Sequence, residues 1–194
     1  MPCRAGQRQE RSCRPYGVVK SGELFAALES GDDVARWEAA KALAGIDSEA
    51  NRAKLVRLIR DHPEPEVRMT ASYTLGFAAC GGSPDEVDAL VGRLEDGREA
   101  VDVRCHAAEA LGHMLDHENL GRDRAIPPLR QALGDDLPEV RFWAAFALGN
   151  IGGPSEIAAL EQLTTDETVI PGWWSIGKEA SESVEQIRQH AGDQ

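Results

Sequence analysis

The sequence predicts an all-α solenoid of about five stacked helix pairs, on three observations. A nine-residue pattern recurs along the chain, its copies carry an amphipathic helical period, and turns rich in Gly, Pro and Asp separate them. Four copies align without gaps: Ala35–Leu43 (ARWEAAKAL), Val67–Leu75 (VRMTASYTL), Val103–Leu111 (VRCHAAEAL) and Val140–Leu148 (VRFWAAFAL). A degenerate fifth follows at Ile176–Val184 (IGKEASESV). Anchored on the second column (Arg36, Arg68, Arg104, Arg141, Gly177), the spacings are 32, 36, 37 and 36 residues.

Taken in order, the chain opens on a stretch unlike the rest. Residues 1–20 hold five basic residues against Glu10 and no apolar period, which predicts a disordered basic tail. Residues 21–194 form the repeat domain, with helix pairs expected at about 21–47, 51–80, 84–116, 122–152 and 154–190. In each pair a shorter apolar-periodic run (Leu24–Leu28, Ala53–Ile59, Val87–Leu94, Ala125–Leu133, Ile157–Leu163) supplies the first helix, and the nine-residue motif begins the second. The turns between them carry Gly31-Asp32-Asp33, Asp61 to Glu66, Asp96-Gly97 and Gly134 to Pro138. Pro127 and Pro128 are expected in the first turn of the fourth pair's first helix, where no backbone donor is needed.

Within the motif, apolar residues at columns 1, 5, 8 or 9 and 12 form the buried stripe. Small residues at columns 5 and 6, and Gly76, Gly112 and Gly149 at column 10, let neighbouring helices approach closely. One pair cannot bury its stripe alone, so the pairs must stack. The pattern resembles the HEAT-like repeats of the phycobilin-lyase type across roughly residues 22–190. The clearest match runs from Ala125-Ile-Pro-Pro-Leu to Pro138-Glu-Val-Arg-Phe-Trp-Ala-Ala-Phe-Ala-Leu-Gly-Asn-Ile-Gly152. The resemblance implies a right-handed superhelix of HEAT-like pairs and specifies fold far more closely than function.

Composition limits the function classes. Of 194 residues 42% are apolar, and the formal net charge is −12, with +4 in residues 1–20 and −16 in the remainder. An acidic domain argues against a general nucleic-acid binder. The sequence contains neither an apolar run of membrane-spanning length nor a secretory h-region. Cys3, Cys13, Cys80 and Cys105 form no Cys-x-x-Cys pair, which suits reduced thiols in the cytoplasm.

The recurring Arg36, Arg68, Arg104 and Arg141 are expected to bond carboxylates and turn carbonyls, with Glu66, Asp102 and Glu139 favouring the helix N-termini beside them. Arg52, Lys54, Arg57 and Arg60 read as a solvated outer face. Columns 3, 4 and 7 of the second helices point towards the concave side. They read Trp37, Glu38, Lys41; Met69, Thr70, Tyr73; Cys105, His106, Glu109; and Phe142, Trp143, Phe146. Aromatics and Met gathered on one side mark an interaction surface. In the long fifth turn, Trp173 and Trp174 divide between capping the core and lidding the groove, and Trp174 joins the candidate partner-binding residues.

No enzyme signature survives inspection. The HEAT-like deoxyhypusine hydroxylases hold two irons through His-Glu pairs at columns 3 and 4, and no such pair stands there in this sequence. His113 and His117 have i, i+4 spacing, which alone is a weak metal signal. Cys105 and His106, adjacent on a helix, diverge by about 100° and cannot act as nucleophile and base. The expected role is a non-enzymatic scaffold that needs no cofactor and holds a basic or amphipathic protein or peptide segment, as a monomer on its own. The resemblance also implies a chromophore (bilin) lyase subunit or chaperone as an alternative. A HEAT-like alkylpurine glycosylase is a weaker one, since columns 3, 4 and 7 offer only Lys41 and Lys178 as cations.

Overall fold

A computed structural model of the protein describes residues 21–46, 48–78, 82–115 and 121–192. The basic tail at 1–20, Cys80 and His117 lie outside the described residues. Ten α-helices alternate in two layers among those described. The outer layer comprises α1 (Ser21–Ser30), α3 (Glu49–Asp61), α5 (Pro84–Glu95), α7 (Arg122–Ala132) and α9 (Ile157–Glu161). The inner layer comprises α2 (Asp33–Ala44), α4 (Pro65–Gly76), α6 (Val101–Met114), α8 (Pro138–Ile151) and α10 (Ile176–Gly192). Each outer helix packs on the inner helix that follows it, and successive inner helices pack on one another from α2 to α10.

Local chemistry sets the helix starts. Asp32 accepts from the Ala35 N–H at 2.9 Å, and Ser83 with Glu86 closes a reciprocal capping box. Pro65, Pro84 and Pro138 open α4, α5 and α8, where the missing N–H has no intrahelical partner to lose. Pro127 and Pro128 depart from expectation. Helix α7 begins at Arg122, so both prolines sit in its interior rather than its first turn. The carbonyls they leave without an i+4 donor belong to Asp123 and Arg124, both exposed residues, so the lost bonds fall towards water.

The core follows the repeat. Val67, Val103 and Val140 of column 1 and Leu75, Leu111 and Leu148 of column 9 are fully buried, as are the column 5 alanines from Ala71 to Ala144. The column 10 glycines mark where inner helices come closest. A Cβ on Gly76 would stand 2.5 Å from the Ala110 Cα, and one on Gly112 would stand 2.8 Å from the Ala147 Cα. Column 10 of one unit thus rests on column 8 of the next, and neither place admits a further carbon without parting the helices.

The arginine column is a ladder along the turns. Arg68 donates to the His62 and Pro63 carbonyls of its own turn and forms a fork on Glu99 of the next, at 2.8 and 2.6 Å. Arg104 bonds the Leu94 carbonyl behind it and Asp135 ahead. Arg141 bonds the Asp135 carbonyl and, at 3.1 Å, Asp166. Arg36 turns back on the Leu28 and Gly31 carbonyls and on Asp33. The second basic group is also structural: Arg52 pairs with Glu86, Lys54 with Glu29 and Arg60 with Asp85.

This ladder has an acid limit. Burial pushes Glu99, Asp135 and Asp166 up, but bonds from the arginines and turn N–H groups outweigh it and hold all three below the usual carboxylate range. A depressed folded value stabilises above the unfolded value and is lost as pH falls through the folded one. The ladder's contribution to the melting temperature should therefore hold level down to about pH 4.5 and fall below it. Thermal melts from pH 7 to pH 2.5 check this; a flat profile to pH 3 would remove the ladder as a source of stability.

Candidate functional site

The inner helices carry a row of rings. Trp37 on α2 meets Tyr73 on α4 edge-on, with centroids 5.0 Å apart, and both touch the His106 ring on α6. Tyr73 lies 4.6 Å from Phe77, which lies 4.3 Å from His113. The His113 ring reaches Phe146 on α8 at 5.2 Å, and Phe146 reaches Trp143 at 5.5 Å. Trp143 then meets Trp173 at 5.2 Å, and Trp173 meets Trp174 at 5.7 Å. Ring–ring contact therefore runs unbroken across four inner helices and into the turn before the fifth. All four tryptophans belong to it.

Not every candidate residue faces this row. Cys105 and Phe142, both column 3, are 6% and 1% exposed and belong to the core instead of the groove. Column 3 lies on the flank facing the next unit. There Phe142 is covered by the fifth turn, packing with Ile170 and Ile176. The Cys105 thiol is correspondingly inert: burial, with Asp102 adding, raises it far above its ordinary value. Thr70 at column 4 is also buried, bonding the Glu66 carbonyl of its own helix. Met69 is half-buried and takes no part in the described ring contacts. Trp37, Tyr73, His106, Glu109, Trp143 and Phe146 are half-buried along the row, and Glu38 and Lys41 are exposed at its start, paired at 3.0 Å.

Three members escaped the column reading. Phe77 and His113 occupy column 11, which continues columns 4 and 7 as an i, i+3, i+7 stripe; extending that stripe one turn finds them. Trp173 is the other. Of the two adjacent indoles, Trp174 is the more covered and donates its Nε1–H to Glu179 at 2.8 Å, whereas Trp173 is 49% exposed. The fifth turn that carries them is a small hairpin, with Ile170 bonding the Trp174 carbonyl and Gly172 at φ +83°. Both indoles pack on Phe142, at 5.9 Å for Trp173 and 6.2 Å for Trp174, and Trp173 is the more exposed ring at the end of the row.

Charge in the groove is sparse and mostly negative. Glu109 accepts from His106 Nδ1 at 2.7 Å and has His113 Nε2 at 3.8 Å. Glu179 is 5% exposed, and desolvation raises its carboxyl above the usual range despite the Trp174 bond. Lys178 lies 4.6 Å from the Trp174 ring centre and pairs with Glu182. Among the described residues no lysine or arginine pairs with Glu109 or Glu179, and no group of three His, Cys, Asp or Glu could hold a metal ion. A cleft of about 560 Å³ lies elsewhere, at the turn edge around Arg104, Asp135 and Leu137, and none of the ring row lines it.

Two layers of helix pairs with an aromatic inner face define an α-solenoid of short repeats. Its repeats match HEAT repeats over residues 22–101 and 97–170, and the chain belongs to that family. No curated protein matches it. Among solved structures it is similar to one of the complex of CpcE and CpcF of phycocyanin lyase from Nostoc sp. PCC7120, at TM-score 0.70 and 18% identity, covering 86% of this chain and 99% of that one. It is also similar to a designed armadillo repeat protein in complex with the peptide (KR)4, at TM-score 0.56 and 23% identity, covering 84% of this chain and 80% of that one. An engineered protein matches at TM-score 0.59 and 25% identity, covering 86% and 80%. Among the described residues no helix is long and apolar enough to cross a membrane.

Proposed function

We propose that the chain is a non-enzymatic scaffold that holds an extended protein or peptide segment, basic or amphipathic, along its inner face. The observation that carries this reading is the unbroken ring row from Trp37 to Trp174, half-exposed on inner helices whose column 5 and column 9 residues are all buried. The carboxylate of Glu109, half-buried along the row with no lysine or arginine in an ion pair with it among the described residues, biases it towards a cationic guest. On this reading the chain needs no cofactor and works as a monomer in the cytoplasm. Nucleic acid fits poorly, because Lys41 and Lys178 are already in ion pairs with glutamates.

A labelled (KR)4 peptide is the probe, read by fluorescence anisotropy. Trp143→Ala and Trp37→Ala should each weaken binding about tenfold, while Arg57→Ala on the outer face leaves it unchanged. Normal binding by tryptophan variants that have lost much of their stability would sink the groove and make the row a packing feature. A second reading, a bilin lyase subunit or chaperone-like factor, is favoured by the likeness to the CpcE–CpcF structure over 86% of this chain. Bilin absorbance that co-purifies with the chain would support it over the scaffold.

A further inference from the structure

The middle of the ring row holds a group that the packing does not require. Glu109 projects from α6 with its side chain 13% exposed, gripped by His106 on one oxygen and approached by His113 on the other. A carboxylate can only accept, so His106 Nδ1 carries the proton in that bond. Rings surround the trio: Trp37 and Tyr73 touch His106, and Phe77 and Phe146 touch His113. A negative centre walled by aromatic faces matches a guest's ammonium or guanidinium group.

We propose that Glu109 is the seat for a lysine or arginine side chain of the bound segment, and that protonation of His106 and His113 closes it. This rests on the groove reading above and adds its central specificity contact and its regulation. With both imidazoles neutral, the trio carries one negative charge that the guest cation can neutralise. With both protonated, the same three side chains carry a net positive charge and Glu109 is already paired, so a cation is repelled where it was attracted. Burial holds the His113 imidazole below its ordinary value despite Glu109 beside it, so this state is reached only well below pH 6.5. The other groups cannot mask the change. On α2, Glu38 and Lys41 neutralise each other at 3.0 Å. On the α4 row the one titratable group is Tyr73, and on the α8 row Phe142, Trp143, Phe146 and Asn150 have none. Lys178, Glu179 and Glu182 belong to the fifth unit, beyond α8, at the end of the row. From α5, Glu86 is held by Arg52 and Arg93 by Glu99, both outside the groove.

The test uses the full chain and the labelled (KR)4 peptide at pH 7.5 and pH 5.0, with circular dichroism checking the fold at both. Wild type should bind about tenfold more weakly at pH 5.0, a difference of about 1.4 kcal/mol. The His106→Gln/His113→Gln double variant should show nearly equal affinity at the two pH values, whatever its absolute strength. Glu109→Gln should bind weakly at pH 7.5 and lose the pH dependence, whereas His62→Gln, at a turn outside the groove, should keep it. Wild-type binding that is equal at both pH values, or a pH dependence that survives in the double histidine variant, overturns the proton-controlled seat and leaves the groove standing. Failure of the folded wild type to bind the peptide at pH 7.5 removes the groove reading, and the seat falls with it.

Discussion

Phe142→Ala should cost about 3–5 kcal/mol and shift the melting temperature down by about 10 °C or more. The Phe142 ring is 1% exposed and fills the junction between α8 and the fifth turn, against Ile170, Ile176 and Trp174. Its companions Ile170 and Trp174 belong to a hairpin tied by the Val169–Ser175 bridge, which limits their collapse into the space it leaves. The cavity would also release the seat of Trp174 and, through it, the bond to Glu179. Thermal melts combined with tryptophan emission separate the two effects. A red shift that precedes global melting is the expected signature. A loss below 1 kcal/mol would mean that the fifth turn is not part of the cooperative core.

Arg104→Met should be the most damaging change in the turn ladder, at about 2–4 kcal/mol and roughly 5–10 °C in melting temperature. Arg104 is the most deeply covered of the four, 7% exposed, and its removal strands both the Leu94 carbonyl and Asp135. The equivalent change at Arg36 should cost less, since its carboxylate partner, Asp33, lies in its own turn and in water. (KR)4 affinity of the folded fraction should not move in either variant, because neither guanidinium borders the ring row. An Arg104 variant with native stability and weakened binding would place these arginines in the site instead.

The repeat made the architecture legible. Four aligned copies set the register, and from it came the two-layer stack, the buried Val and Leu columns, and the glycine–alanine contacts of the inner seam. The arginine ladder was legible too, because an identical charge at an identical place in every unit has an identical job. What the pattern could not reveal were departures from helical averaging. Column 3 stands on a flank, and whether a flank is covered depends on the neighbour; Phe142 is buried by a turn with no counterpart in the other units. The prolines of α7 escaped because a proline's cost depends on what its missing bond faces, which a single strand of letters does not record. Phe77 and His113 were within reach, but only by following the stripe past the nine-residue motif. The pairing of Glu109 with two imidazoles follows from spacing of three and four residues, and its place among rings from other helices does not.

The seams on the two sides of the stack differ in thickness. The inner one is made of hydrogens and methyl groups, at Gly76 against Ala110 and Gly112 against Ala147, while the outer one is spanned by long pairs such as Arg52 with Glu86 and Arg124 with Asp88. Each unit is therefore a wedge, like the cut stones of an arch, and the bend of the whole is written in a few small residues at the narrow edge. Enlarging one of them would flatten the vault locally and spread the aromatic lining, so the breadth of guest the arch admits is set from the seam and not from the lining itself.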